Sequence, residues 1–141
     1  MKSPILLRAA SILTLLYFAG HTAGMPWTPA VEPAEMSVLE GMKSHGFEVM
    51  GFIRTYWDFY FGFGVTNSVF LLVQAVVLWQ LGSLAKTDAS RVRPIVASFF
   101  VGFAVNALLA WKYFFAVPVV ITIAISVCLA LAFVSAGRSR L

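Results

Sequence analysis

RTYWDFYFGFGVTNSVFLLVQAVVLWQLG, residues 54–82, is the stretch whose reading decides the fold. Between Phe59 and Ala85 the chain carries no charged side chain. As a helix that run rises about 40 Å, more than the ~30 Å needed to cross the hydrocarbon core of a bilayer. Tyr56, Trp57 and Tyr60 crowd one end and Trp79 lies near the other, where membrane interfaces favour amphipathic rings. The spacing predicts a transmembrane helix over residues 57–82. Trp57, Tyr60, Gly64, Asn67, Leu71, Gln74 and Leu78 recur at alternating three- and four-residue steps and therefore share one face. Asn67 and Gln74 are costly against lipid, so this face is expected to turn toward other helices.

Working outward, residues 25–53 form one sizeable loop. Pro26, Pro29 and Pro33 keep its first part extended, and AEMSVLEGMKS places Met36, Leu39 and Met42 on an edge opposite Glu35 and Glu40. That pattern predicts a short amphipathic helix at the membrane surface. His45-Gly46 interrupts it, and FEVMGFIRTYW leads on, with Arg54 and Asp58 four apart and able to pair. Upstream, MKSPILLRAASILTLLYFAGHTAG reads either as a cleaved signal peptide or as a retained helix over residues 4–22. The polar stripe Ser11, Thr14, Phe18, His21 favours retention, since a disposable apolar segment has no use for one.

Beyond Gly82 a polar link carries Lys86, Arg91 and Arg93, and Pro94 suits a helix start. Residues 95–136 are uncharged except for Lys112. Unbroken, they would reach roughly 63 Å, twice a bilayer's span, so they must fold back. Trp111-Lys112-Tyr113 with Pro118 marks the turn between helices over 95–115 and 118–136. In this four-span arrangement Lys2, Arg8, Lys86, Arg91, Arg93, Arg138 and Arg140 fall on one side, and Lys43, Arg54 and Lys112 on the other. The excess of positive charge predicts both termini in the cytoplasm and the 25–53 loop outside. The expected fold is an all-α, four-helix transmembrane bundle forming a single domain over residues 1–141.

Composition agrees. Of 141 residues, 60% are hydrophobic and 11% charged, far from a soluble average. The net charge of +4 sits at helix ends and forms no basic run, so nucleic acid is not an expected partner. The single Cys128 excludes an intrachain disulfide, a Cys-x-x-Cys pair and a thiolate zinc cage. Two histidines, His21 and His45, form no ligand-spaced pair, and no cofactor or metal is expected. Neither a phosphate-binding loop nor a nucleophile elbow is present, and no acidic residue stands deeper than the first turn of a predicted membrane helix, where Asp58 lies, to carry a proton or cation.

Two constellations remain. Thr14 lies eight residues before Thr22, Asn67 eight after Phe59, Asn106 eight before Phe114 and Ser126 eight after Pro118, each about 12 Å from the outer side. They form either a polar pocket or interhelical hydrogen bonds, with Ser and Thr bonding back to their own helix. At the outer rim stand His21, Arg54, Asp58 and Lys112 among Tyr56, Trp57, Tyr60, Trp111 and Tyr113. The rim is either the mouth of a site for an amphipathic ligand or an ordinary aromatic belt. The candidate ligand-binding set is therefore His21, Arg54, Asp58, Tyr60, Asn67, Asn106 and Lys112. His21 is its natural acid–base member.

On HTAGMPWTP, YWDFYFGFG and WKYFF the chain resembles a family of uncharacterised small bacterial four-helix integral membrane proteins, a likeness covering most of its length. That resemblance implies no activity. In general shape it is similar to DoxX-like and EXPERA-type four-helix proteins, but it lacks acidic residues within the helices, which argues against sterol-isomerase-like chemistry. The functional expectation is a small inner-membrane protein, either a non-enzymatic accessory, scaffold or lipid-binding protein or an enzyme or carrier acting on a lipid-like ligand at an outward-facing site. Its expected partners are membrane lipids, together with another membrane protein or a second copy of the chain.

Overall fold

The structure, a computed structural model, describes residues 2–24 and 29–137. The MPWT segment of the quoted motif and the arginines at 138 and 140 lie outside the described residues. Five helices and one hairpin follow in order: α1 (Ser3–Gly24), α2 (Pro33–Ser44), β1 (Gly46–Val49), β2 (Phe52–Thr55), α3 (Tyr56–Leu84), α4 (Ala89–Tyr113) and α5 (Ala116–Gly137). Helices α1, α3, α4 and α5 are each long and apolar enough to cross a membrane.

Helix α4 starts at Ala89 rather than at residue 95, and Pro94 stands inside it instead of opening it. The reason is Asp88. Its Oδ1 accepts from the backbone N–H groups of Ser90 (3.1 Å) and Arg91 (3.2 Å), filling two of the donors that a helix start leaves open. A side-chain cap outweighs proline's preference for the first turn.

The chain divides into two compact units. The first comprises Met1–Phe18 and Leu71–Leu141. Its core is drawn from four helices: Leu7 and Ala10 of α1, Leu78 and Leu81 of α3, Val92, Val96 and Phe103 of α4, and Ile125, Leu129 and Ala132 of α5. Helices α1 and α3 approach closely here. The Ser11 hydroxyl donates across to the carbonyl of Ala75 at 2.6 Å, and a Cβ added at Gly82 would lie 3.1 Å from Arg8 Cγ and 3.2 Å from the Pro4 carbonyl oxygen. Small residues set this approach, as they do between helices in lipid.

The packed face of α3 is accordingly Gly64, Ser68, Leu71, Ala75, Leu78 and Leu81, all buried. It is rotated from the expected stripe: Asn67 is exposed and Gln74 half-buried. Nor do the small residues Ser98 and Gly102, four apart on α4, form a close-packed seam. Ser98 and Gly102 are exposed, and nothing lies within 4 Å of a Cβ built on Gly102. Branched and aromatic side chains, Val92, Val96 and Phe103, fill that interface instead.

The second unit is Ala19–Phe70. Its hairpin was not foreseen from the sequence. Gly46–Val49 pairs antiparallel with Phe52–Thr55, and Met50 and Gly51 turn the corner at φ 51° and 86°. Positive φ at both central residues is the two-residue turn whose twist suits a hairpin, with glycine in one of the two places. Phe47 then stacks on Phe59 at 5.9 Å and lies 4.8 Å from Tyr56, and Lys43 of α2 sits 4.7 Å over the Trp57 ring. These ring contacts tie α2 and the hairpin to the opening turns of α3.

Candidate functional site

The seven candidate residues divide between the units. His21, Arg54, Asp58, Tyr60 and Asn67 belong to the second, and Asn106 and Lys112 to the first. Most of the charged ones are engaged locally. Thr55 and Asp58 form a reciprocal cap at the start of α3: the Thr55 N–H donates to Asp58 Oδ2 at 2.8 Å, and the Asp58 N–H donates to Thr55 Oγ1 at 3.1 Å. The expected Arg54–Asp58 ion pair is not formed. Arg54 donates through Nη1 to the Ile53 carbonyl at 2.8 Å, and its guanidinium carbon lies 5.3 Å from the Phe52 ring centroid. The physical reason is the hairpin: as the last strand residues before α3, Arg54 and Thr55 are held extended, off the helical spacing that pairing requires. Lys112 lies 5.0 Å over the ring of its neighbour Tyr113, and Tyr60 packs on Trp57 at 5.5 Å.

His21 has more chemistry around it. Its Nδ1 lies 3.1 Å from Ser68 Oγ, and the Thr22 hydroxyl donates to the same oxygen at 2.9 Å. In the tautomer with its proton on Nε2, Nδ1 accepts from the Ser68 hydroxyl, whose oxygen accepts from Thr22. A hydroxyl–imidazole pair within hydrogen-bond reach is two-thirds of a nucleophile device. The third group is not supplied by Asp58. That residue lies ten positions from Ser68 on the same helix, about 15 Å along the axis, and already caps α3. Ser68 was missed in the sequence because attention fell on its neighbour Asn67. The small-residue spacing Gly64, Ser68 on the packed face was the available signal.

The deep polar set resolves by chemistry. Its hydroxyls serve their own helices: Thr14 Oγ1 donates to the Ala10 carbonyl at 2.8 Å and Ser126 Oγ to Thr122 at 2.8 Å. Thr122 repeats the pattern toward Pro118 at 2.7 Å. All three are buried and satisfied without a partner helix. The carboxamides behave differently. Asn67 is exposed, Gln74 and Asn106 are half-buried, and none of the three makes a hydrogen bond to a described residue. The buried faces are chosen by small and branched residues that pack, and an amide finds no mate on them.

Outside the apolar spans, Asp88 is the group with a displaced titration. The hydrogen bond from the Ser90 hydroxyl, helped by the Arg91 N–H and charge and the Ser90 N–H, holds its carboxyl below the usual carboxylate range against an opposing desolvation. No protein-family model, curated protein or solved structure matches this chain, and its functional reading rests on these residues.

Proposed function

We propose that the chain is a multi-pass protein of the bacterial inner membrane, with both termini cytoplasmic and α2 and the hairpin outside. We further propose that it works without catalysis, as an accessory or scaffold that packs against another membrane protein or a second copy of itself. The likeness to small bacterial four-helix membrane proteins belongs with this proposal. One observation carries it: Asn67, Gln74 and Asn106 lie on apolar helices with no hydrogen-bonding partner within the described chain. An amide facing lipid is costly, and each bond to a neighbouring helix returns about 0.6–2 kcal/mol. Such groups are retained where a partner helix meets them.

Asn67 offers the test. Phe63 and Phe70 flank it by about one turn on either side and are 71% and 59% exposed. Replacing either with the photo-reactive analogue p-benzoylphenylalanine leaves Asn67 in place and the face aromatic. Irradiated cells should yield a discrete protein adduct from both positions, and Asn67→Leu should remove it without lowering expression. Adducts to lipid alone, or adducts indifferent to Asn67→Leu, refute the scaffold reading.

The second reading, an enzyme or carrier for a lipid-like ligand, is favoured by the Thr22–Ser68–His21 chain. It expects His21→Ala and Ser68→Ala to abolish function with the adducts intact, whereas the scaffold reading expects both variants to remain functional.

A further inference from the structure

One end of the first unit is strongly basic. The opening turns of α1, the 85–88 link and the start of α4 carry Lys2, Arg8, Lys86, Arg91 and Arg93, and Asp88 is the one acidic side chain among the described residues of the unit. That carboxylate is taken. It accepts from the Ser90 hydroxyl at 2.7 Å and forms an ion pair with Arg91 Nε at 2.9 Å, besides capping α4.

Among the described residues Arg93 has no anionic partner. Its guanidinium carbon lies 4.1 Å from the centroid of Phe133, and a Cβ on Gly137 would meet it at 3.1 Å, so the group lies flat between the ring and the last turn of α5. Its Nε is buried with no hydrogen-bond partner. Beside it opens a notch of about 350 Å³ lined by Ser90, Arg93, Pro94, Phe133, Ala136 and Gly137. Arg93 is four residues into α4, about 6 Å along the axis from its start. On the neighbouring helices Arg8 lies 4.4 Å over Trp79, and its Nε is also buried without a partner.

We propose that the notch between α4 and α5 binds a phosphate group, with Arg93 as its ligand. A guanidinium offers a planar fork of N–H donors that matches phosphate oxygens two at a time. A cation drawn out of water against an aromatic ring is costly until an anion joins it, and among the described residues of this unit no second acidic side chain is present to do so. The apolar wall of Phe133 and Ala136 suits a group whose other end is hydrocarbon. The same fork would hold the phosphodiester of a lipid headgroup or free inorganic phosphate. The inference rests on the four helices crossing a membrane and is independent of what packs against Asn67.

The test uses the full chain in nanodiscs of phosphatidylcholine with and without phosphatidylglycerol, with retained lipid counted by native mass spectrometry. Wild type should retain phosphatidylglycerol over phosphatidylcholine, and Arg93→Gln should lower that retention about tenfold or more. Arg91→Gln removes the same charge from the same turn and should leave retention unchanged. Arg93→Lys keeps the charge without the fork and should also lose most of the retention, with circular dichroism confirming that it folds. Inorganic phosphate titrated into detergent-solubilised protein supplies the other arm. If it raises the melting temperature of wild type but not of Arg93→Gln while no lipid preference is seen, the anion is free phosphate. Equal losses in the Arg91 and Arg93 variants, or no lipid preference together with no phosphate effect, overturn the site. Failure of wild type to enter the nanodisc overturns the membrane reading with it.

Discussion

The approach of α1 to α3 in the first unit can be tested with a single methyl group. A Cβ at Gly82 would stand 3.2 Å from the backbone oxygen of Pro4, which cannot move without its helix, and 3.1 Å from Arg8 Cγ, which is itself held by the Trp79 ring. Overpacking of this kind costs about 1–3 kcal/mol. Gly82→Ala also brings a helix-propensity gain, at most about 1 kcal/mol. Gly102→Ala isolates that gain, because nothing lies within 4 Å of its added Cβ. The difference between the two variants is therefore the steric cost alone, and Gly82→Ala should be less stable than Gly102→Ala by about 1–3 kcal/mol. The assay is a reversible titration from mild micelles into sodium dodecyl sulfate, followed by far-ultraviolet circular dichroism. Gly82→Val should widen the gap. If Gly82→Ala proves as stable as Gly102→Ala, α1 and α3 do not meet at Gly82, and the seating of Arg8 on Trp79 goes with that contact.

Two further outcomes are expected. Thr55→Ala removes one half of the reciprocal cap with Asp58 and should cost about 1 kcal/mol in the same titration, with Thr55→Ser close to wild type. Acidification should destabilise the start of α4. Because the Asp88 carboxyl is depressed in the folded chain, its contribution is fully present above the ordinary carboxylate range and is lost as pH falls through the lowered folded value. Thermal unfolding across that window should show the loss in wild type and not in Asp88→Asn, and Ser90→Ala should complete it at higher pH.

The long apolar helices were legible because bilayer-crossing length is a property of composition, and α3 could be read from its uncharged run alone. The rotation of α3 was not. Weighting Asn67 and Gln74 as inward-facing put the polar amides on the packed face, whereas Gly64, Ser68 and Ala75 show that closeness of backbones chose it. The start of α4 was hidden in the same way, since Pro94 is conspicuous and Asp88 is not. The hairpin escaped because its turn residue Met50, at φ 51°, lacks the asparagine or aspartate signature of such turns, leaving Gly51 as the lone signal. Of the candidate site, His21 kept its place as the most chemically engaged residue, while Arg54 and Asp58 turned out to serve the backbone.

Hydroxyls and amides differ in what an apolar helix can do for them, and that difference orders the functional reading. A Ser or Thr hydroxyl has one proton and can reach the carbonyl a turn back along its own helix, as Thr14, Thr122 and Ser126 do. Their presence in a span therefore says little about partners. A carboxamide has two donors and an acceptor, too many for its own helix to satisfy. An Arg in the same surroundings needs an anion as well as acceptors. The groups that the described chain leaves wanting are thus Asn67, Gln74 and Asn106 on the helices, and, near one end, the Nε–H groups of Arg8 and Arg93 with the hydroxyl of Ser3, which opens α1 and has no preceding turn to bond. On the two proposals made above, a polar helix meets the demand of the amides and a phosphate that of Arg93.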